Sequence, residues 1–333
     1  MKKILANRTL DFIIKTVIVG LLLYAIYRQV FAKENAADMW QSFVGHFSGS
    51  NTLWLWAVVI LIPVNWGFET RKWHVLIQKF TDYSFWQVYK ATLAGVTVSL
   101  FTPNRVGEYG GRILLVDAKD NWNAAIATVV GSFSQVLVLL SAGLAGLVFF
   151  AQYLFDIPLQ ILALLIFFGA VGISLMLFCF FNIDLIVPVA RRIPFPAFAK
   201  KYLRHLRVLN KYGRRELLRT LAFAFVRYCT YSFQYYLMLR FFGIEVPLWT
   251  ALAGIATIYL FQTSIPLPPV MGLLARGTIA LQVWGAFSTV EIDILAASFT
   301  LFIINLSVPA LIGAVFILQT NVMQSLGVKD GAE

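Results

Sequence analysis

FTPNRVGEYGGR, residues 101–112, sets two arginines and a glutamate between apolar runs. Arg105, Glu108 and Arg112 follow an i, i+3, i+7 spacing, which puts them on one face of a helix. Thr102 or Asn104 can cap that helix, and Pro103 suits its first turn. A helix N-terminus offers free N–H groups and positive potential, and arginine adds bidentate geometry, so the stretch suits a phosphate. Gly107, Gly110 and Gly111 leave room for another helix or a headgroup to approach the backbone. Glu108 would either orient an arginine or hold a proton. Charged groups at membrane depth are costly and point to function. The bland alternative is a packing motif with an interfacial Arg–Glu pair.

Two more arginines sit in apolar surroundings. Arg227 lies within FAFVRYCTYSFQYY and needs a partner, Glu108 or a lipid phosphate, unless its helix starts late and leaves it near the headgroups. Arg276 is the lone charge after the break SIPLPPVMG, where Pro266, Pro268, Pro269 and Gly272 free backbone carbonyls. Such a break is tolerated only inside protein or beside a cavity. Gln135, Gln262 and Asn305 are expected to hydrogen-bond between helices. There is no Walker A loop, HExxH or GxSxG, and His46, His74 and His205 are scattered. Cys179 and Cys229 lie in apolar runs without a CxxC pair. No catalytic residue, metal site or cofactor is expected.

The elements that must position these residues are membrane helices. Of 333 residues, 59% are hydrophobic and 13% charged, against about 25% charged in a soluble domain. The mean hydropathy is +0.77. Several runs reach the roughly 20 apolar residues that cross a bilayer. The net charge of +11 is read as topology rather than nucleic-acid binding. Candidate helices are 10–31, 52–70, 122–152, 158–182, 217–242 and 292–319. The first is expected to be an uncleaved membrane helix rather than a signal peptide. Two shorter apolar segments, 86–101 and 250–265, are interrupted.

Basic residues orient the chain. Residues 191–219 hold ten Lys or Arg against Glu216 alone, and belong on the cytoplasmic side, as do Met1–Arg8 and the group Arg71, Lys72 and Lys79 after the second helix. The count of crossings agrees only if 86–112 enters and returns from the cytoplasm while 250–287 does so from outside. TLAGVTVSLFTP and ALAGIATIYLFQTSIP resemble one another, and each leads to an arginine. The expected fold is therefore an all-α integral membrane protein. It has about six full transmembrane helices and two broken, re-entrant helical hairpins in an inverted-topology repeat, a transporter signature. Repeat 1 covers about 52–152 and repeat 2 about 217–319. The basic loop between them, about 184–216, has Phe198, Tyr202, Leu206 and Leu209 at helical spacing. It reads as an amphipathic helix on the anionic cytoplasmic leaflet.

PNRVGEYGGRILL resembles the first signature of the lysylphosphatidylglycerol synthase transmembrane-region family: a proline, Arg-x-Gly-Glu, then Arg. Pro103, Arg105, Gly107, Glu108 and Arg112 match. The resemblance extends over nearly the whole chain in segment count and in the basic loop. It implies a multi-pass lipid translocase of the bacterial cytoplasmic (inner) membrane that binds or moves anionic or aminoacylated phospholipid; the distribution of basic residues puts both termini on the cytoplasmic side. Many members carry Pro-Gly-Gly-x-Gly and then Glu in the second half, where this chain has Pro268-Pro269-Val270-Met271-Gly272 and Arg276. Many also carry Glu-Arg where this chain reads Gly131-Ser-Phe-Ser-Gln135. These departures suggest a divergent, stand-alone member. The synthase's aminoacyl-transfer domain has no counterpart here, so lysyl transfer is not expected. In the leading reading Arg105 and Arg112 bind a phosphate headgroup, and Arg227 and Arg276 complete a polar path. The alternatives are a membrane enzyme modifying lipid headgroups and a non-transporting membrane partner protein.

Overall fold

The structure is a computed structural model that describes residues 2–30, 35–47, 51–102, 105–154, 158–192, 203–264 and 269–327. Pro103, Asn104, Phe198, Tyr202, Pro266 and Pro268 lie outside the described residues. Every regular element among them is helical. The helices are α1 (Lys2–Val30), α2 (Ala36–His46), α3 (Thr52–Ile77), α4 (Phe85–Ser99), α5 (Gly107–Ile113), α6 (Asn121–Leu154), α7 (Leu159–Phe181), α8 (Ile186–Arg192), α9 (Arg214–Phe241), α10 (Leu248–Ser264), α11 (Pro269–Trp284), α12 (Glu291–Phe302), α13 (Val308–Gln319) and α14 (Val322–Ser325). A π turn, Ile303–Ser307, joins α12 to α13. Five segments are long and apolar enough to cross a membrane: Thr9–Arg28, Thr52–Ile77, Ala118–Phe150, Leu159–Phe181 and Glu291–Gln319. The chain is an all-α, multi-pass membrane protein.

α9 is too polar to count among those five, yet it runs antiparallel along α3. Lys79 Nζ meets Glu216 Oε1 at 2.6 Å at one end of the pair. Arg240 lies over the Trp54 ring, 5.9 Å from its centroid, at the other. α9 is thus a sixth crossing, as the sequence indicated. The α3 helix departs from expectation. Apolarity ends it near residue 70, but it continues to Ile77 because its last turns bury Glu69, Lys72, Trp73 and Leu76 against protein rather than lipid. Lys72, expected in a cytoplasmic loop, is instead a buried helical residue.

The two ends of the bundle are identified by contacts between distant segments. At the first end, the Val322 amide donates to Asp11 Oδ1 at 2.8 Å. Asn121 Nδ2 donates to the Ser325 carbonyl at 2.8 Å, and the Asp117 amide to Tyr83 Oη at 2.9 Å. At the second end, Ser42 Oγ donates to Asp293 Oδ1 at 2.5 Å, Phe43 packs on Phe241 and Phe242, and Phe150 meets Phe287. The α4–α5 hairpin starts after Tyr83 and finishes before Asp117, at the first end. The α10–α11 hairpin starts after Val246 and finishes before Phe287, at the second. The hairpins therefore enter from opposite ends.

Each hairpin packs its first arm on the long helix of the other half: α4 on α13 and α10 on α6. Small residues allow both approaches. A Cβ on Gly313 would overlap the Leu93 carbonyl, and Thr97 Oγ1 donates to the Ala310 carbonyl at 2.7 Å. A Cβ on Gly143 or Gly146 would overlap Leu260, or Ala253 and Ala256. Within the first hairpin, Gly107 and Gly111 press α5 against the α4 backbone at Val98 and at Ala94–Gly95, whereas Gly110 faces open space. Two of the three motif glycines are thus required by close approach. Gly111→Val is expected to lower the thermal unfolding midpoint in detergent, at a cost of about 1–3 kcal/mol from overpacking. Gly110→Ala should leave the midpoint within about 0.5 kcal/mol of wild type, as an unconstrained surface change does.

Candidate functional site

The break between α4 and α5 is built by local hydrogen bonds. Thr102 Oγ1 accepts from the Gly107 amide at 2.8 Å and donates to the Val98 carbonyl at 3.2 Å. Thr102 thus caps α5 from five residues upstream. Arg105, at the tip, takes a left-handed conformation with φ 59°. A non-glycine residue there is strained by about 1–3 kcal/mol, a feature that clusters at functional sites. α5 then carries Glu108 and Arg112 back into the bundle. Arg105 Nη2 lies 3.5 Å from Glu108 Oε2, and Glu108 Oε1 pairs with Arg112 Nη2. Glu108 and Arg112 share a face of α5, but Arg105 does not belong to it: the helix begins at Gly107 rather than at 102–104, and the left-handed turn at Arg105 leaves it at the tip, from which it reaches Glu108. Glu108 thus pairs with both arginines.

A residue that sequence reasoning missed stands at the centre. Glu69 on α3 receives three cations. Lys72 Nζ is 2.6 Å from its Oε2, Arg227 Nη1 2.8 Å from the same oxygen, and Arg112 Nη2 2.6 Å from Oε1. Glu69, Lys72 and Arg112 are 1–3% exposed, and Arg227 8%. Arg227 therefore lies inside the bundle, and its carboxylate partner is Glu69 rather than Glu108. Gln135 on α6 closes the group: its Oε1 accepts from Lys72 Nζ and from Arg227 Nη1, each at 3.4 Å. Its Nε2 donates to Tyr231 Oη at 3.3 Å. Aromatic faces sheathe the guanidinium groups. Arg112 lies over Trp73 at 4.8 Å, and Arg227 over Trp66 at 5.1 Å and Tyr231 at 5.8 Å. Trp66, Glu69 and Trp73, at i, i+3 and i+7, form the α3 face that holds them. That spacing, with Lys72, was the available signal, and GFETRKW was passed over as the polar end of a span.

A polar seam continues from this centre. Trp66 Nε1 donates to the Asn305 carbonyl at 3.1 Å, inside the π turn. Asn65 Nδ2 donates to Asn305 Oδ1 at 3.4 Å, and Asn305 Nδ2 to Gln234 Oε1 at 3.1 Å. Gln234 Nε2 donates to the Val58 carbonyl at 2.9 Å. Gln135 and Asn305 thus join helices as expected. Arg276 stands apart: it lies over Phe302, 5.1 Å from the ring centroid. Among the described residues no ion pair joins it to Glu69 or Glu108. Pro269 and Gly272 belong to the start of α11. In the basic segment, Leu206 and Leu209 pack on the bundle core rather than standing free of it.

Among the described residues, the carboxylates that pair with Lys72, Arg112 and Arg227 are Glu69 and Glu108, and the Nε atoms of Arg112 and Arg227 are buried there without a hydrogen-bond partner. Among the described residues no group of three or more His, Cys, Asp or Glu is arranged to hold a metal ion. The site defines a membrane protein with a positively charged centre to which the first hairpin contributes Arg112. The chain belongs to the lysylphosphatidylglycerol synthase TM region family, whose model matches residues 12–313, and that family ties it to membrane lipid. No curated protein and no solved structure matches the chain.

Removing the shared carboxylate should be costly. Glu69→Gln leaves three buried cations facing Glu108 alone and is expected to destabilise by about 3–5 kcal/mol, read from denaturant unfolding in detergent. Adding Lys72→Met to Glu69→Gln should recover part of that loss, because it removes one unmatched charge.

Proposed function

We propose that this protein is a membrane lipid translocase, flippase-like, that binds and moves an anionic or aminoacylated phospholipid. The observation that carries the reading is the excess of buried positive charge at the hairpin: three enclosed cations against two carboxylates. Buried charge without full compensation is costly unless a counter-ion shares the site, and a lipid phosphate is the anion that a membrane supplies. Arg105, half-exposed at the hairpin tip, receives the headgroup. Arg112 exchanges Glu108 for the incoming phosphate, and Glu108 returns when the headgroup leaves. Arg227 and, from the opposite hairpin, Arg276 extend the polar path. The opposed hairpins are the arrangement through which many transporters alternate access.

The first end of the bundle faces the cytoplasm in this reading, with both termini there, in the bacterial cytoplasmic membrane. The ten basic residues of 191–219 support that orientation and supply contact with the anionic leaflet. Proteoliposomes carrying a fluorescent phospholipid test the reading, with reagent protection reporting the leaflet. Arg105→Gln, at an exposed position, and Arg112→Gln are each expected to slow translocation about tenfold or more, as loss of a charged hydrogen bond does. Wild-type rates in both variants, with the protein folded, would exclude this site.

A further inference from the structure

Arg276 is an arginine without a carboxylate. The sequence from 246 to 290 holds no other charged residue, so nothing on its own hairpin can neutralise it. Among the described residues no ion pair reaches it from elsewhere, and its Nε atom is buried without a hydrogen-bond partner. Its surroundings are aromatic. Phe302 lies against the guanidinium, and Tyr235 and Tyr259 stand within electrostatic range of it. The rings continue the sheath of Arg227. Tyr231, which covers Arg227, meets Tyr259 edge-on at 5.1 Å, and Tyr259 meets Tyr235 at 6.3 Å. Arg276 is thus joined to the Glu69 centre by rings and not by charge. The other charge within electrostatic range of Arg276 is Arg105, at the tip of the first hairpin. Like charges brought together in a low-dielectric interior are costly unless an anion joins them.

The charge balance says which anion. With Arg105 and Arg276 added to Lys72, Arg112 and Arg227, five cations stand against Glu69 and Glu108. A phosphodiester headgroup brings one negative charge, and an aminoacylated headgroup brings a cation besides. A phosphomonoester brings about −1.5 to −2 at neutral pH and three free oxygens. Oxygen count points the same way. One bidentate arginine fork occupies both free oxygens of a phosphodiester, whereas a phosphomonoester leaves an oxygen for a second fork.

We propose that the site binds a lipid phosphomonoester, its terminal phosphate gripped jointly by Arg105 from the first hairpin and Arg276 from the second. The proposal rests on the translocase reading and narrows its substrate.

The test uses the full chain in nanodiscs of defined composition, with native mass spectrometry of retained lipid. The probes are phosphatidic acid, a phosphomonoester, and phosphatidylglycerol of the same chains, a phosphodiester. Wild type is expected to retain phosphatidic acid about tenfold over phosphatidylglycerol, as one further charged hydrogen bond provides. Arg105→Gln and Arg276→Gln should each remove most of that preference, and Arg276→Lys should keep part of it, since the charge stays while the fork is lost. The double variant should retain no less phosphatidic acid than either single one, because both groups act on one phosphate. Losses that multiply in the double variant would mean two separate sites and overturn the joint grip. Arg276→Gln removes a charge that has no carboxylate, so the unfolding midpoint in detergent should stay at or above wild type. A lower midpoint with the preference intact would make Arg276 a structural residue and overturn the proposal. Inorganic phosphate displacing phosphatidic acid at equal concentration would assign the arginines to a soluble phosphate and overturn it too. Retention is read without transport, so the two readings fail separately. Equal retention of the two lipids, while the wild-type protein still moves a fluorescent phosphodiester lipid, would overturn the phosphomonoester alone. The tenfold preference without transport would support the phosphate site and overturn the translocase.

Discussion

One carboxylate, Glu69, holds the interior of this protein together. It neutralises cations from its own helix, from the re-entrant α5 and from α9. Ions taken out of water lose several kcal/mol of hydration each, and a low-dielectric surrounding returns it only when the pairing geometry is good. That requirement fixes much of the architecture. α3 has to continue past its apolar stretch to carry Glu69 and Lys72 inward. α9 has to run beside it so that Arg227 arrives at the same level. The first hairpin has to turn back so that Arg112 reaches the same carboxylate. Trp66, Trp73 and Tyr231 fill the remaining space with ring faces that attract guanidinium groups without neutralising them.

The seam beyond this centre is hydrogen-bonded and uncharged. Asn65, Asn305 and Gln234 link α3, the π turn and α9. A π turn widens the helix by one residue and exposes carbonyls, a feature frequent at functional sites. Here it gives Trp66 and Asn65 their partners. Phe302, immediately before the turn, supports Arg276 from the second hairpin. The turn thus links the ring support of Arg227 on α9, through Trp66, with that of Arg276 on the second hairpin, through Phe302.

The sequence carried the helical crossings, the opposed hairpins and the shared face of Glu108 and Arg112, because apolar length, basic loops and helical spacing are local or additive signals; the left-handed turn that sets Arg105 outside the helix has no such signal. The hub was less legible. Glu69 and Lys72 lie just beyond the most apolar part of α3, where a hydropathy rule ends the helix and assigns charges to a loop. Only the placement of Arg112 and Arg227, 43 and 158 residues further on, makes burial there tolerable. Arg227 was recognised as needing a partner, but a carboxylate 158 residues upstream cannot be chosen from spacing. The end of α5's approach was partly readable: Thr102 does cap the helix, though from further back than an ordinary N-cap.

The reciprocal packing of the hairpins bears on how the chain is assembled. α4 is complete once residue 99 is made, yet its packing partner α13 ends at Gln319, and the Thr97–Ala310 hydrogen bond spans 213 residues. During synthesis the first hairpin therefore waits in lipid or against surrogate neighbours until α13 has been made. α6 and α10 close sooner, with α7, α8 and α9 between them in the chain. Asp11 with Val322 and Thr97 of α4 with Ala310 of α13 join segments 311 and 213 residues apart. Such long-range closure makes folding slow. It also makes the bundle cooperative across its halves, since the first arm of each hairpin packs on a helix of the other half.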